Sequence, residues 1–263
     1  EFLAWTLWSI QVSADVTGVT DYRVTVIDAD SRARPWPRVP RERVIVSTEP
    51  MRVFNKSRLL NRGIRLADGD VITVLDADML VGPRWLEGVQ ALADPGIHRL
   101  CYRVRKCSPP RYRQFVDARN PLKAYRRLFA DYDHFELEHE AWRHHNRVNE
   151  EMGPPYQPFG NSQGSMTREH FGDLRFDERY AGHGWEDIEF LRRVERKWAT
   201  RDEVGRTISG YRGAINTDPA YCLLHLPHPK DDGPEWGNPR YGQEQFELYQ
   251  SETDWKAYPW ERP

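Results

Sequence analysis

Asp76-Ala77-Asp78 sets two carboxylates one residue apart, directly after the apolar run Val71-Ile72-Thr73-Val74-Leu75. Acids so spaced at a strand end can face one divalent cation, or one can bind metal while the other holds a ligand hydroxyl. A second pair, Glu186-Asp187, follows Gly182-His183-Gly184-Trp185 and opens a run with helical periodicity. Helix N-termini carry free N–H groups and partial positive charge that favour carboxylates. The pair therefore either caps the helix or is held by it at a fixed angle for proton transfer. Asp28-Ala29-Asp30 repeats the first pattern, and His225 and His228 stand two residues apart late in the chain.

The elements that must position these groups follow from periodicity. Leu3, Leu7 and Ile10 recur at helical spacing, and Tyr22–Ile27 then alternates like a strand that stops at Asp28. Arg43–Ser47 is a further short strand, and Phe54–Ala67 a helix with Leu59, Leu60, Ile64 and Ala67 inward, ended by Gly69. Val71–Leu75 is apolar enough for a strand buried on both faces, and Pro83 opens a helix carrying Trp85, Leu86, Val89 and Leu92. This order predicts an α/β protein with a mainly parallel sheet. Two strands then deliver acids at their carboxyl ends, the edge where open α/β sheets bind ligands. A doubly wound sheet usually begins with a strand, so the opening helix implies a first strand missing from the recorded sequence. Residues 105–121 and 153–164 read as loops and 122–147 as helix. Ile188, Leu191, Val194 and Trp198 form an apolar stripe, and Ala220–Leu226 a last strand before a Pro-, Gly- and Trp-rich tail from Lys230.

The chain has 263 residues, 39% hydrophobic and 30% charged, enough for one large domain with a full core. Its 10 Trp and 12 Tyr serve core packing or stacking on a sugar or base. Cys101, Cys107 and Cys222 fit neither a zinc spacing nor a disulfide framework, which predicts reduced thiols. No apolar run approaches the roughly 18 residues of a membrane span, and the start lacks a basic-then-apolar leader, so a cytoplasmic location is expected. Net charge is −2, unevenly spread: Arg99–Arg127 holds ten Lys/Arg and one acid, Asp117, and Leu128–Glu151 then holds seven acids.

The segments around the first acidic pair are FNKSRLLNRGIRLADGD and VITVLDADML. Together they resemble the nucleotide-sugar glycosyltransferases of the GT-A fold, and most closely the inverting family 2. Within it the resemblance is to the chondroitin-polymerase branch, with kinship to β-1,4-galactosyltransferases and polypeptide N-acetylgalactosaminyltransferases. VIDADS resembles the strand end that holds uracil, LDAD the metal motif, and Gly160-Asn161 the Gly-Asn before a short strand. FDERY followed by GWEDIEF resembles the acceptor-side acidic motif, and Tyr221 with His225 the late metal-binding histidine. His183 departs from the pattern, standing where relatives commonly carry an aromatic residue.

The resemblance implies a single GT-A domain. Residues 1–98 would be its nucleotide-sugar half, 99–229 its acceptor half, and 230–263 a wrapping tail. It implies a metal-dependent, inverting transfer from a UDP-sugar to an acceptor hydroxyl, with Asp187 as general base and Glu186 on the acceptor or orienting the loop. Asp78 and His225 would hold Mn2+ or Mg2+, with His228 the competing ligand. Asp28 or Asp30 would accept from uracil, Asp76 would contact ribose or donor sugar, Lys56 or Arg58 would face phosphate, and Asn161 would touch donor or acceptor. His183 and Trp185 would flank the acceptor.

The basic stretch is either a surface paired with the acids after it or an open patch for a polyanionic acceptor. An acidic glycan, a phosphorylated carrier and a base in DNA all qualify, the last needing strand access or base extrusion. A sugar-nucleotide hydrolase, a retaining transferase and a non-catalytic binding module are the competing readings.

Overall fold

A computed structural model describes residues 2–29, 43–51, 54–93, 99–137, 163–181, 186–201, 207–209, 213–216 and 218–227, and the account below concerns these. The chain opens with helix α1 (Phe2–Thr17), then strands β1 (Val24–Asp28) and β2 (Val44–Thr48), which pair in parallel. Helix α2 (Lys56–Leu66) leads into β3 (Val71–Val74), β4 (Met79–Val81) and α3 (Trp85–Gln90). Next come β5 (Arg99–Tyr102), β6 (Val104–Lys106), α4 (Pro109–Val116), α5 (Pro121–Ala130) and β7 (Glu136–Leu137). The remainder is β8 (Gly164–Thr167), α6 (Arg168–Phe171), α7 (Glu186–Lys197), β9 (Ala199–Arg201), β10 (Thr207–Ser209), β11 (Gly213–Asn216) and β12 (Leu223–His225).

The mainly parallel sheet expected from the element order is corrected to a mixed one. One four-stranded sheet runs β11-β5-β8-β3 and another β4-β12-β6-β7. β5 with β11 and β6 with β12 are parallel, whereas β8 is antiparallel to β3 and β5, and β4 to β12. The antiparallel pairs of the first sheet come from β8, which enters between β3 and β5 from a distant part of the chain, and only Leu75–Asp78 separates β3 from β4, which do not pair with each other. The chain instead steps from one sheet into the other, and the Asp-Ala-Asp turn is that step.

The stretch 105–121 is not loop, because Pro109 and Pro110 occupy the first positions of α4, where a missing N–H costs nothing. The helix expected over 122–147 stops at Ala130, and the chain reaches β7 by residue 136. Cys107 and Cys222 are buried and in no disulfide, and burial pushes each thiol up to about 12. Among the described residues, no helix is long and apolar enough to cross a membrane.

Three apolar cores hold the elements. Trp5 and Val12 of α1 pack with Phe115, Tyr125, Phe129 and Leu224, the Trp5 and Phe115 rings 4.6 Å apart. Ile10 and Ala14 join Met79, Val81, Trp85 and Leu86. Ile64, Ile72, Val74, Met166, Phe176, Phe190 and Val194 clamp α2, β3, β8 and α7 together. Helix α1 also carries Thr6, Ser9 and Ser13, all buried, facing polar backbone rather than solvent. Ser9 Oγ accepts from Val81 N at 3.1 Å, and Ser13 Oγ accepts from Leu86 N at 3.0 Å.

Candidate active site

The Asp-Ala-Asp turn is pinned from two sides. Thr6 Oγ1 of α1 donates to Ala77 O at 2.7 Å, and Leu226 N donates to Asp78 O at 2.8 Å. β12 lies between β4 and β6, so its last residue, His225, is opposite Met79 on one side and Lys106 on the other. Cys107 N donates to His225 O at 2.8 Å, which fixes the histidine backbone. His225 Nε2 then stands 3.1 Å from Asp78 Oδ2, joining residues 147 positions apart.

Asp76, two residues before, points into a different set of contacts. Lys56 Nζ, on the first residue of α2, lies 2.9 Å from Asp76 Oδ1 and 3.1 Å from Oδ2. Gln163 Nε2 adds a second donor at 3.0 Å from Asp76 Oδ2. Burial alone would push Asp76 up, yet Lys56, its hydrogen bond, that of Gln163 and the His225 charge bring it below the usual carboxylate value. Burial likewise disfavours the charged lysine, but Asp76, Glu186 and Asp187 outweigh it and hold the ammonium above the ordinary lysine range. Lys56 is therefore the point at which the acids from the strand end and those from the α7 N-terminus meet. Glu186 is buried and Asp187 half-buried there.

The two acidic motifs are also joined mechanically. Asn61 of α2 is buried, and its side-chain amide exchanges both bonds with the Phe176 backbone: Nδ2 donates to Phe176 O and Phe176 N donates to Oδ1, each at 2.8 Å. Asn61 Nδ2 also reaches Glu178 Oε1 at 2.9 Å, and the Asn55 side chain donates to Glu178 O at 2.7 Å. The Phe176 ring stacks on Phe190 of α7 at 4.0 Å. This explains why the inward line of α2 is Ser57, Asn61 and Ile64 rather than the expected leucines, which are half-buried. On α7 the buried apolar line similarly runs through Phe190 and Val194, with Leu191 half-buried.

Of the residues singled out in the sequence, Lys56, Asp76, Glu186 and Asp187 are thus brought together, and Asp78 sits with His225 two residues along. Arg58 turns away to Glu49, with Nη2 to Oε1 at 2.6 Å, beside the β1 end where Glu49 N donates to Asp28 O at 2.8 Å. Asp28 closes β1 and is half-buried. Asp30, Asn161, His183, Trp185 and His228 lie outside the described residues, as does the tail from Lys230. Sequence reasoning missed Gln163 and Asn61. The only available signal was position: Gln163 follows the Gly160-Asn161 pair, and Asn61 lies inside the motif-bearing helix.

Four of the ten cations in the basic stretch pair with the acids that follow it. Arg103 and Arg105 reach Asp133, and Arg111 and Arg127 reach Asp131, while Arg99 is buried. Arg113, Arg119, Lys123 and Arg126 are exposed on or between α4 and α5.

A metal would find two donors, not a closed site. Among the described residues no group of three or more His, Cys, Asp or Glu is arranged to hold an ion. The spacing of Asp78 and His225 does fit adjacent corners of an octahedron: donors about 2.1 Å from an ion, at right angles, lie about 3 Å apart. Carboxylate with imidazole suits Mn2+, with ligand oxygens and water completing the shell.

The fold matches solved structures of S. aureus TarS. Against TarS the chain aligns with TM-score 0.53 at 13% identity over 96% of its own length and 37% of the other chain. Against TarS 1-349 the values are 0.51, 12%, 94% and 60%, and against TarS 1-349 in complex with UDP 0.50, 12%, 88% and 59%. The chain thus spans at most about 60% of these structures, and at such identity the likeness concerns the fold alone. No curated protein matches the chain. The family model described as "Glycosyl transferase family 2" matches residues 2–146, from α1 through the Asp-Ala-Asp turn and the basic stretch, more than half of the sequence. The chain belongs to glycosyl transferase family 2.

Proposed function

We propose that the protein transfers a sugar from a UDP-sugar to an acceptor hydroxyl, with inversion, using a divalent metal and Asp187 as general base. The observation that carries this reading is the convergence on Lys56: Asp76 from the strand end pairs with it, and Asp187 and Glu186 from the α7 N-terminus act on the same ammonium. The charges of both motifs thus bear on one lysine, and the Asp78–His225 pair follows two residues after Asp76, which supports a common site for donor and acceptor. The UDP named in the TarS complex supports a uridine nucleotide for the donor.

In this reading the acceptor oxygen attacks the anomeric carbon, its proton passes to an Asp187 carboxylate oxygen, and the bond from that carbon to the diphosphate breaks to release UDP. Asp78 and His225 would hold Mn2+ or Mg2+, which neutralises charge on the departing diphosphate. Lys56 is assigned to phosphate, leaving Asp76 to turn to ribose or donor sugar. Glu186 binds acceptor hydroxyls or orients the loop. Asp28 and Asp30 are assigned to uracil, Arg58 and Asn161 to donor contacts, His183 and Trp185 to the acceptor, and His228 to a competing metal position. Residues 1–98 supply the nucleotide half and 99–229 the acceptor half.

The acceptor is proposed to be polyanionic, because none of Arg113, Arg119, Lys123 and Arg126 has an acidic partner among the described residues. Acidic glycan, phosphorylated carrier and DNA are the classes to try. The test is UDP release from a panel of UDP-sugars with Mn2+, followed by mass spectrometry of acceptors and the anomeric configuration of the product. Failure to bind or turn over any nucleotide sugar with any divalent ion overturns the reading.

A further inference from the structure

Gln163 has a buried polar arm that the proposed chemistry does not use. The residue is only 4% exposed, and its side-chain nitrogen donates to Asp76. A carboxylate can only accept, so this contact settles which arm of the amide is nitrogen. The other arm, Oε1, is buried with no hydrogen-bond partner among the described residues. A buried amide oxygen left unpaired is costly, and such groups in native proteins are nearly always satisfied.

The surroundings show that this arm is held in place. Arg99, itself 2% exposed, donates from Nη2 to Gln163 O at 2.9 Å. Gly164 makes room for that guanidinium, since a Cβ there would lie 2.7 Å from Arg99 Nε. One residue on, Ser165 Oγ bonds Thr73 Oγ1 at 2.6 Å and the Tyr102 hydroxyl, which locks the register of β8 between β3 and β5. The backbone carbonyl and the side-chain nitrogen of Gln163 are thus both tied, while Oε1 is left over.

What Oε1 lacks is a donor. It sits on the same amide that touches Asp76, so acceptors of two residues lie side by side, already supplied with Lys56 and the Gln163 nitrogen on the protein side. Phosphate oxygens bring no donor to such a place, whereas neighbouring hydroxyls of a sugar ring bring two. We infer that Gln163 is a donor-recognition residue whose side-chain carbonyl accepts a hydrogen bond from a hydroxyl of the sugar nucleotide, on its ribose or on the sugar to be transferred. The inference rests on the sugar-nucleotide reading above and adds to it the group that reads the ring.

The test is calorimetric binding with Mn2+ of UDP, 2′-deoxy-UDP, 3′-deoxy-UDP, and UDP-glucose with its 2-, 3-, 4- and 6-deoxy analogues, to the wild type and Gln163→Met. One analogue is expected to bind the wild type about tenfold more weakly than its parent, the usual worth of one such bond, and the penalty should shrink below about twofold in the variant. A ribose analogue behaving so places the hydroxyl on the nucleoside, and a glucose analogue places it on the transferred sugar. Equal weakening of every ligand in Gln163→Met makes the residue a support for Asp76 only and overturns the inference. If the variant does not fold, as judged by its melting curve, the wild type decides alone: indifference to every deoxy analogue sinks the inference. A wild type that binds neither UDP nor any UDP-sugar of the panel with any divalent ion removes the parent reading, and this one with it.

Discussion

Two of the regions where cations meet carboxylates, the acidic turn and the α4–α5 hairpin, differ in almost everything else. At the turn, Lys56 and Asp76 have side chains 15% and 29% exposed, and a third group, Gln163, fixes the carboxylate. On the α4–α5 hairpin, Arg127 and Asp131 are 79% and 34% exposed and 4.0 Å apart. The first pair joins a helix start to a strand end; the second joins neighbouring turns of one helix end. An exposed pair gains little because water already solvates both charges. A buried one is costly to break, because the survivor stays charged in a poor solvent. Charge pairing in this chain therefore fixes the acidic turn and merely decorates the hairpin.

The widest separation of the two regions is expected in turnover. Asp187→Asn should lower transfer by about 100- to 10,000-fold, the usual range for losing a positioned base, with UDP affinity little changed, whereas Arg126→Gln should keep turnover with a small soluble acceptor within about twofold. Parallel loss in both variants would dissolve the distinction. Next in size is Lys56→Met, which leaves the half-buried Asp76 without its cation beside Glu186 and Asp187 and should cost about 3 kcal/mol in a denaturant titration. Adding Asp76→Asn should recover much of that loss, because the uncompensated charge is gone. Asn61→Ala removes the partner of both polar groups of Phe176 and should cost about 2 kcal/mol. Smallest is Asp131→Asn, expected within about 1 kcal/mol and shrinking further as salt is raised. A cost at Asp131 rivalling that at Lys56 would show that the hairpin is more than surface.

The parts legible in the sequence were those set by local pattern. The acids at Asp28 and Asp76 announced themselves because apolar strands stop there, and Glu186-Asp187 because a periodic helix begins there. What stayed hidden depends on partners far along the chain. Asn61 reads as one more polar helix residue until Phe176, 115 positions away, comes alongside it. Gln163 meets Asp76 across 87 positions, and Thr6 meets Ala77 across 71. The mixed sheet was hidden for the same reason, since β8 enters between β3 and β5 from a distant part of the chain. α4 was lost to a different error: prolines were read as breakers where they begin a helix.

The three hydroxyls along α1 carry a practical lesson for anyone trimming this protein. A version starting at Gly18 would strip the partners from the Ala77 carbonyl and from the Val81 and Leu86 amides, and would uncover the apolar groove that Trp5, Leu7 and Ile10 now fill. The acidic turn would lose its foundation although every acid remained in the chain, so the opening helix has to be kept with the turn it holds when boundaries are chosen.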